Sequence, residues 1–70
     1  MNRPDIIADR LRMARHANGY TQYGLAICAK CAESMISNIE CERQWLSVPM
    51  AVKFGKILNV RPAWLLDLEE

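Results

Sequence analysis

Apolar residues recur along this chain at intervals of three and four, and nowhere alternate over the length of a strand. That is the pattern of helices with one buried face. Pro4 and Asp5 open a first segment in which Ile7, Leu11 and Ala14 share a face, and Gly19 stands where a C-terminal cap is expected. Thr21 can cap a second helix carrying Leu25, Ala26 and Ala29 on one side. Ile36 and Ile39 mark a third. Ser47 caps a fourth, with Pro49 tolerated in its first turn and Ala51, Phe54 and Leu58 on one stripe. Arg61-Pro62 restarts a short fifth segment with Trp64 and Leu65. The pattern predicts five short helices and no sheet.

The break between the second and third helices is the most informative place. Only Lys30 to Ala32 separate Ala29 from the next helical turn. Two helices joined so tightly must cross steeply, as in a helix-turn-helix. With Ile36 and Ile39 inward, Glu33, Ser34, Ser37, Asn38 and Cys41 form a continuous outward stripe. Its members are short and polar, without the Lys/Glu mixture of a merely solvated face. Such side chains suit base edges in a DNA major groove; a plain surface helix is the competing reading of the stripe alone.

Thr21-Gln22-x-x-Leu25-Ala26, nine residues, then Ile36-Ser37-x-Ile39-Glu40 resembles the Cro/repressor helix-turn-helix family of phage and bacterial regulators. The similarity runs without a gap over residues 6–66, through Leu11-Arg12 and Arg15 before Gly19, Ser47, Leu58-Asn59-Val60 and Trp64-Leu65-Leu66. The resemblance implies a compact five-helix domain that binds double-stranded DNA and usually represses transcription. It places Gln22 against a phosphate at the start of the second helix, where free backbone N–H groups also favour an anion. It turns Glu33, Ser34, Ser37 and Asn38 toward base edges, chemistry that Asn, Ser and Glu can all perform. It also pairs Arg15 with Glu40 across the first and third helices as a structural pair that would be costly to break.

Three positions depart from the family pattern. Lys30 stands where a left-handed turn usually carries glycine, at a cost of about 1 kcal/mol. Ala32 replaces the usual Ser or Thr cap of the recognition helix, forfeiting about 1 kcal/mol more. Glu42 replaces another glycine close to where phosphates would pass. Lys30 and Arg43 remain candidates for phosphate contact, Arg43 the better placed, with Arg10 and Arg12 as further basic residues. Trp45 is read as covering the edge of a small core, the alternative being an indole N–H on a phosphate. Trp64 and Leu65 are core or dimer-interface residues.

Composition narrows the function. Seventy residues, 51% hydrophobic and 24% charged, make one small globular domain spanning 1–70. A catalytic cleft with a lid is hard to build on that scale, and no catalytic arrangement or glycine-rich phosphate loop is present, so no enzyme and no small-molecule substrate are expected. Residues 1–61 hold all nine Lys and Arg against five acids, a net of +4; Asp67, Glu69 and Glu70 form a short acidic tail that brings the chain to +1. Cys28-x-x-Cys31 is a weak metal signal, since a four-ligand site would need the distant His16 to converge. No metal and no cofactor are expected, and Cys31 is read as a small core residue with Cys28 and Cys41 outward. The absence of a long apolar run excludes a membrane helix, and Asp5 and Asp9 interrupt what a signal peptide would need. The expectation is a cytoplasmic, all-α, Cro-like or repressor-like regulator. It binds a double-stranded DNA operator as a homodimer, with half-sites about 34 Å apart. The alternative is a protein-interaction adaptor on the same fold that has lost DNA binding.

Overall fold

The computed structural model describes residues 2–70 and contains five helices in chain order: α1 (Pro4–Ala17), α2 (Gln22–Ala29), α3 (Glu33–Glu40), α4 (Val48–Leu58) and α5 (Pro62–Leu65). No strand occurs among the described residues. α1 packs on α3 and α5, α2 on α3 and α4, and α4 on α5, within an envelope of 28 × 24 × 20 Å. The apolar stripes meet in one core whose largest fully buried side chains are Phe54, Leu11, Leu25, Ile36, Ile39, Leu58 and Leu65. Alanines 14, 26, 29 and 51 fill the narrow contacts between them. Trp64 is half-buried against this core.

Helix starts follow the side-chain chemistry. The Thr21 hydroxyl accepts from the Gly24 N–H at 2.9 Å and the Ser47 hydroxyl from the Met50 N–H at 3.3 Å, each satisfying one free donor of a first turn. α1, α4 and α5 carry proline in their first turns, where no N–H is missed.

Helix ends share one device. Gly19, Lys30, Glu42, Asn59 and Asp67 all have φ between 56° and 75°. After each, the next N–H bonds back to a carbonyl five residues earlier: Tyr20 to Arg15, Cys31 to Ala26, Arg43 to Asn38, Val60 to Gly55 and Leu68 to Ala63, at 2.8–3.0 Å. This is the left-handed Schellman closure, usually made by glycine. Here only the first of the five is glycine. Gly55 matters for a different reason: a Cβ there would meet the Val60 carbonyl oxygen at 2.7 Å, so α4 can fold back on its own end only with hydrogen at that position.

The acidic C-terminus is no free tail: the Glu69 carbonyl accepts from Arg10 and its carboxylate pairs with Arg61. Asp67 is buried and accepts from the backbone N–H and the guanidinium of Arg3 at 2.8–3.2 Å, joining the two ends of the chain. These hydrogen bonds hold its carboxyl well below the usual carboxylate range.

Candidate nucleic-acid interface

The α2–α3 junction is set by three residues. Lys30 takes the left-handed conformation at φ 56°, Cys31 sits half-buried against the core, and Ala32 occupies the N-cap of α3 without a side-chain cap. The turn therefore closes through backbone bonds, Lys30 N–H to Ile27 and Cys31 N–H to Ala26, rather than through glycine or a hydroxyl. α3 then buries Ile36, Ile39 and Glu40 and turns its other side outward.

On that outward side Glu33 and Ser34 are exposed, Ser37 and Asn38 half-buried, and Cys41 exposed. The four polar residues lie on two successive turns of one helix, and no side-chain hydrogen bond engages them among the described residues. The Asn38 carbonyl does accept from Arg43 N–H at 2.8 Å, which fixes where the chain leaves the helix.

Behind this face stands a polar buttress. Arg15 and Glu40 form a two-pronged pair, Nε to Oε2 at 2.8 Å and Nη2 to Oε1 at 2.9 Å, with both residues buried. Arg15 also donates to the Tyr20 carbonyl at 3.0 Å, and Gln22 Nε2 donates to Glu40 Oε1 at 3.1 Å. Burial opposes the negative charge of Glu40, but the hydrogen bonds from Arg15 and Gln22 outweigh it, and its pKa lies below the ordinary value. One Gln22 N–H is thus committed inward, which orients the amide while leaving its second hydrogen available. The backbone N–H groups of Gln22 and Tyr23, at the first two positions of α2, have no protein acceptor among the described residues. They make the start of α2 an electropositive corner.

The cations divide cleanly. Arg3, Arg10, Arg12, Arg15 and Arg61 all lie within ion-pair distance of acids. Lys30, Arg43, Lys53 and Lys56 are exposed and have no carboxylate partner among the described residues. Lys30, the C-cap of α2, and Arg43, just after α3, flank that helix. Arg10 does not belong with them. Its guanidinium donates to the Trp64 and Glu69 carbonyls at 2.6 and 2.7 Å and stacks 4.9 Å above the Trp64 ring. Arg12 is partly spent as well, on the Glu40 carbonyl and on Asp9. Glu33 and Glu42 are exposed acids at the two ends of α3.

Trp45 departs from its sequence reading. Trp45 is 60% exposed, and the neighbouring Leu46, at 5%, is packed in the core instead. The thiols are separate: Cys28 and Cys41 are exposed and Cys31 half-buried, with the Cys31 pKa pushed up by burial. No cluster of three His, Cys, Asp or Glu with metal-binding geometry occurs among the described residues. Among the described residues no helix is long and apolar enough to cross a membrane.

No family model and no curated protein matches the chain. Solved structures do. The restriction-modification controller protein C.AhdI from Aeromonas hydrophila superposes with a TM-score of 0.81 at 26% identity, over 89% of this chain and 94% of that one. The hypothetical transcription factor NHTF from Neisseria superposes with a TM-score of 0.83 at 24% identity, over 90% of this chain and 72% of that one. The likeness covers 89–90% of the chain, far more than the α2–α3 pair. The chain has the helix-turn-helix fold of the Cro/repressor-type regulators that its sequence resembles.

Proposed function

We propose that this chain is a transcriptional regulator, Cro-like or repressor-like, that binds double-stranded DNA in a sequence-specific way and works in the cytoplasm without enzymatic activity. α3 is the reading element: Asn38 bonds adenine, Ser34 and Ser37 reach bases or phosphates, and Glu33 accepts from cytosine. Gln22, with the free N–H groups at the start of α2, and the cations Lys30 and Arg43 hold phosphates on either side. The observation that carries this reading is that combination. Short polar side chains with no partner in the protein stand on one helix, flanked by two unpaired cations and an open helix N-terminus. The likeness to a restriction-modification controller supports it. One α3 spans only a few base pairs, so specificity requires a homodimer on two half-sites about one helical turn apart. Selection from a pool of random duplexes tests this. The expected result is an enriched sequence with two-fold symmetry and half-sites about 34 Å apart. A pool that shows no enrichment contradicts it.

Glu33 and Glu42 favour a second reading, an adaptor that meets a protein partner through the same fold. Both are exposed acids without a cation partner among the described residues, where phosphates would pass. An adaptor would show no affinity for duplex DNA even at low salt.

A further inference from the structure

Trp45 is the largest exposed apolar side chain whose position in the fold is fixed on both sides. Upstream, the Arg43 N–H is bound to the Asn38 carbonyl at 2.8 Å, so the loop leaves α3 in a closed turn. Downstream, Leu46 is buried and the Ser47 hydroxyl caps α4. Between these anchors Trp45 stands 60% exposed. With Pro4, Glu42, Arg43 and Gln44 it lines a shallow cleft of about 90 Å³. A ring of this size normally removes some 150–250 Å² from water, and here most of that gain is unrealised. The edge is continuous with the end of α3, and its neighbour Arg43 is an unpaired cation.

We infer that Trp45 is a DNA-contacting residue that packs against the deoxyribose–phosphate backbone just beyond the bases read by α3, with Arg43 taking the adjacent phosphate. The inference rests on the DNA-binding reading above and extends it with a non-ionic contact. Sugars offer an apolar surface at the same spacing whatever the sequence, so this contact positions the domain and does not select bases. A flat indole suits that surface. Arg43 favours a polyanion over an apolar partner as the occupant, and Glu42 on the same cleft opposes it.

The test uses the full chain with Trp64→Phe, so that all indole emission comes from Trp45. Phe retains an aromatic face for Arg10. If that variant does not fold, the difference between the unmodified protein and Trp45→Phe gives the same signal. Quenching by acrylamide, a neutral probe, is measured with and without a mixed-sequence duplex of roughly two helical turns at low salt. Anisotropy of the labelled duplex reports binding in the same samples. The expected result is several-fold protection of Trp45 on saturation with duplex. Trp45→Ala should weaken matched and unmatched duplexes alike by roughly tenfold, while leaving the slope of affinity against salt unchanged, because no charge is removed. Arg43→Ala should reduce that slope. Duplex binding with Trp45 still fully quenchable overturns the inference and leaves the DNA-binding reading standing. Protection that rises with protein concentration in the absence of DNA also overturns it, since the occupant is then a second copy. No binding at any salt removes both.

Discussion

At the scale of single residues, the candidate interface is supported from behind by a buried charge pair. Arg15 and Glu40 are both under 10% exposed and share two hydrogen bonds, so removing one leaves an unpaired charge in the core. Arg15→Ala should cost about 3–5 kcal/mol, comparable with the whole stability of a domain this size, and should leave the chain largely unfolded by circular dichroism. Replacing both by methionine should recover most of the loss. The same pair fixes the acid limb. Glu40 and Asp67 have folded-state pKa values below their ordinary values of 4.5 and 3.8. Their contribution is therefore complete above those values and is lost as pH falls toward the depressed ones. Melting temperature should drop steeply below about pH 4.5, and less steeply in the double methionine variant, which keeps only Asp67. On the reading face, Asn38→Ala should cost about 1–3 kcal/mol on the selected operator alone, while Gln22→Ala weakens all duplexes equally. Equal effects of both substitutions on matched and unmatched DNA would move the reading face elsewhere. Only part of this scale is legible in the sequence. The Arg15–Glu40 pair comes from family resemblance; Arg3–Asp67 and Arg10 on Trp64, separated by 64 and 54 residues, follow no local periodicity.

At the scale of elements, sequence and structure agree because the signals are local. Apolar spacing, Thr21 and Ser47 as caps, and prolines in first turns each act within one or two helical turns, and they yield five helices in register. What local reading leaves out is how the ends close. Five left-handed closures are made with Gly, Lys, Glu, Asn and Asp, and only glycine adopts φ near 60° without steric strain. Glu42→Gly should therefore raise stability by up to about 1 kcal/mol, after allowing for the extra freedom glycine gives the unfolded chain. That corresponds to a melting-temperature gain of roughly 4–8 °C. It should also tighten duplex binding, more at low salt than at high, because it removes an exposed charge beside the phosphates. Tightening that is independent of salt would reject the charge argument. Gly55→Ala should do the opposite. Alanine is the better helix former, but its Cβ would stand 2.7 Å from the Val60 carbonyl oxygen, a backbone atom held by the closure of α4. A loss of about 1–3 kcal/mol is expected, read as a lower melting temperature with helix content retained at low temperature.

At the scale of the whole molecule, the distribution of charge matters more than its total. A net charge of +1 predicts little by itself. The fold assigns five arginines to acids or carbonyls and leaves Lys30, Arg43, Lys53 and Lys56 in solvent, two of them flanking α3. Sequence alone cannot make that division, because pairing depends on which helices meet. It also sets the strength of the electrostatic contribution. A homodimer presenting Lys30 and Arg43 from each protomer would neutralise about four phosphates, and each contributes about −0.9 to the slope of log affinity against log salt. The most direct measurement is therefore a salt titration of duplex binding by the unmodified protein. The expected result is measurable affinity at low salt and a slope near −4, made shallower by about 2 in Arg43→Ala. Absence of binding at low salt, or binding whose affinity does not change with salt, would contradict it.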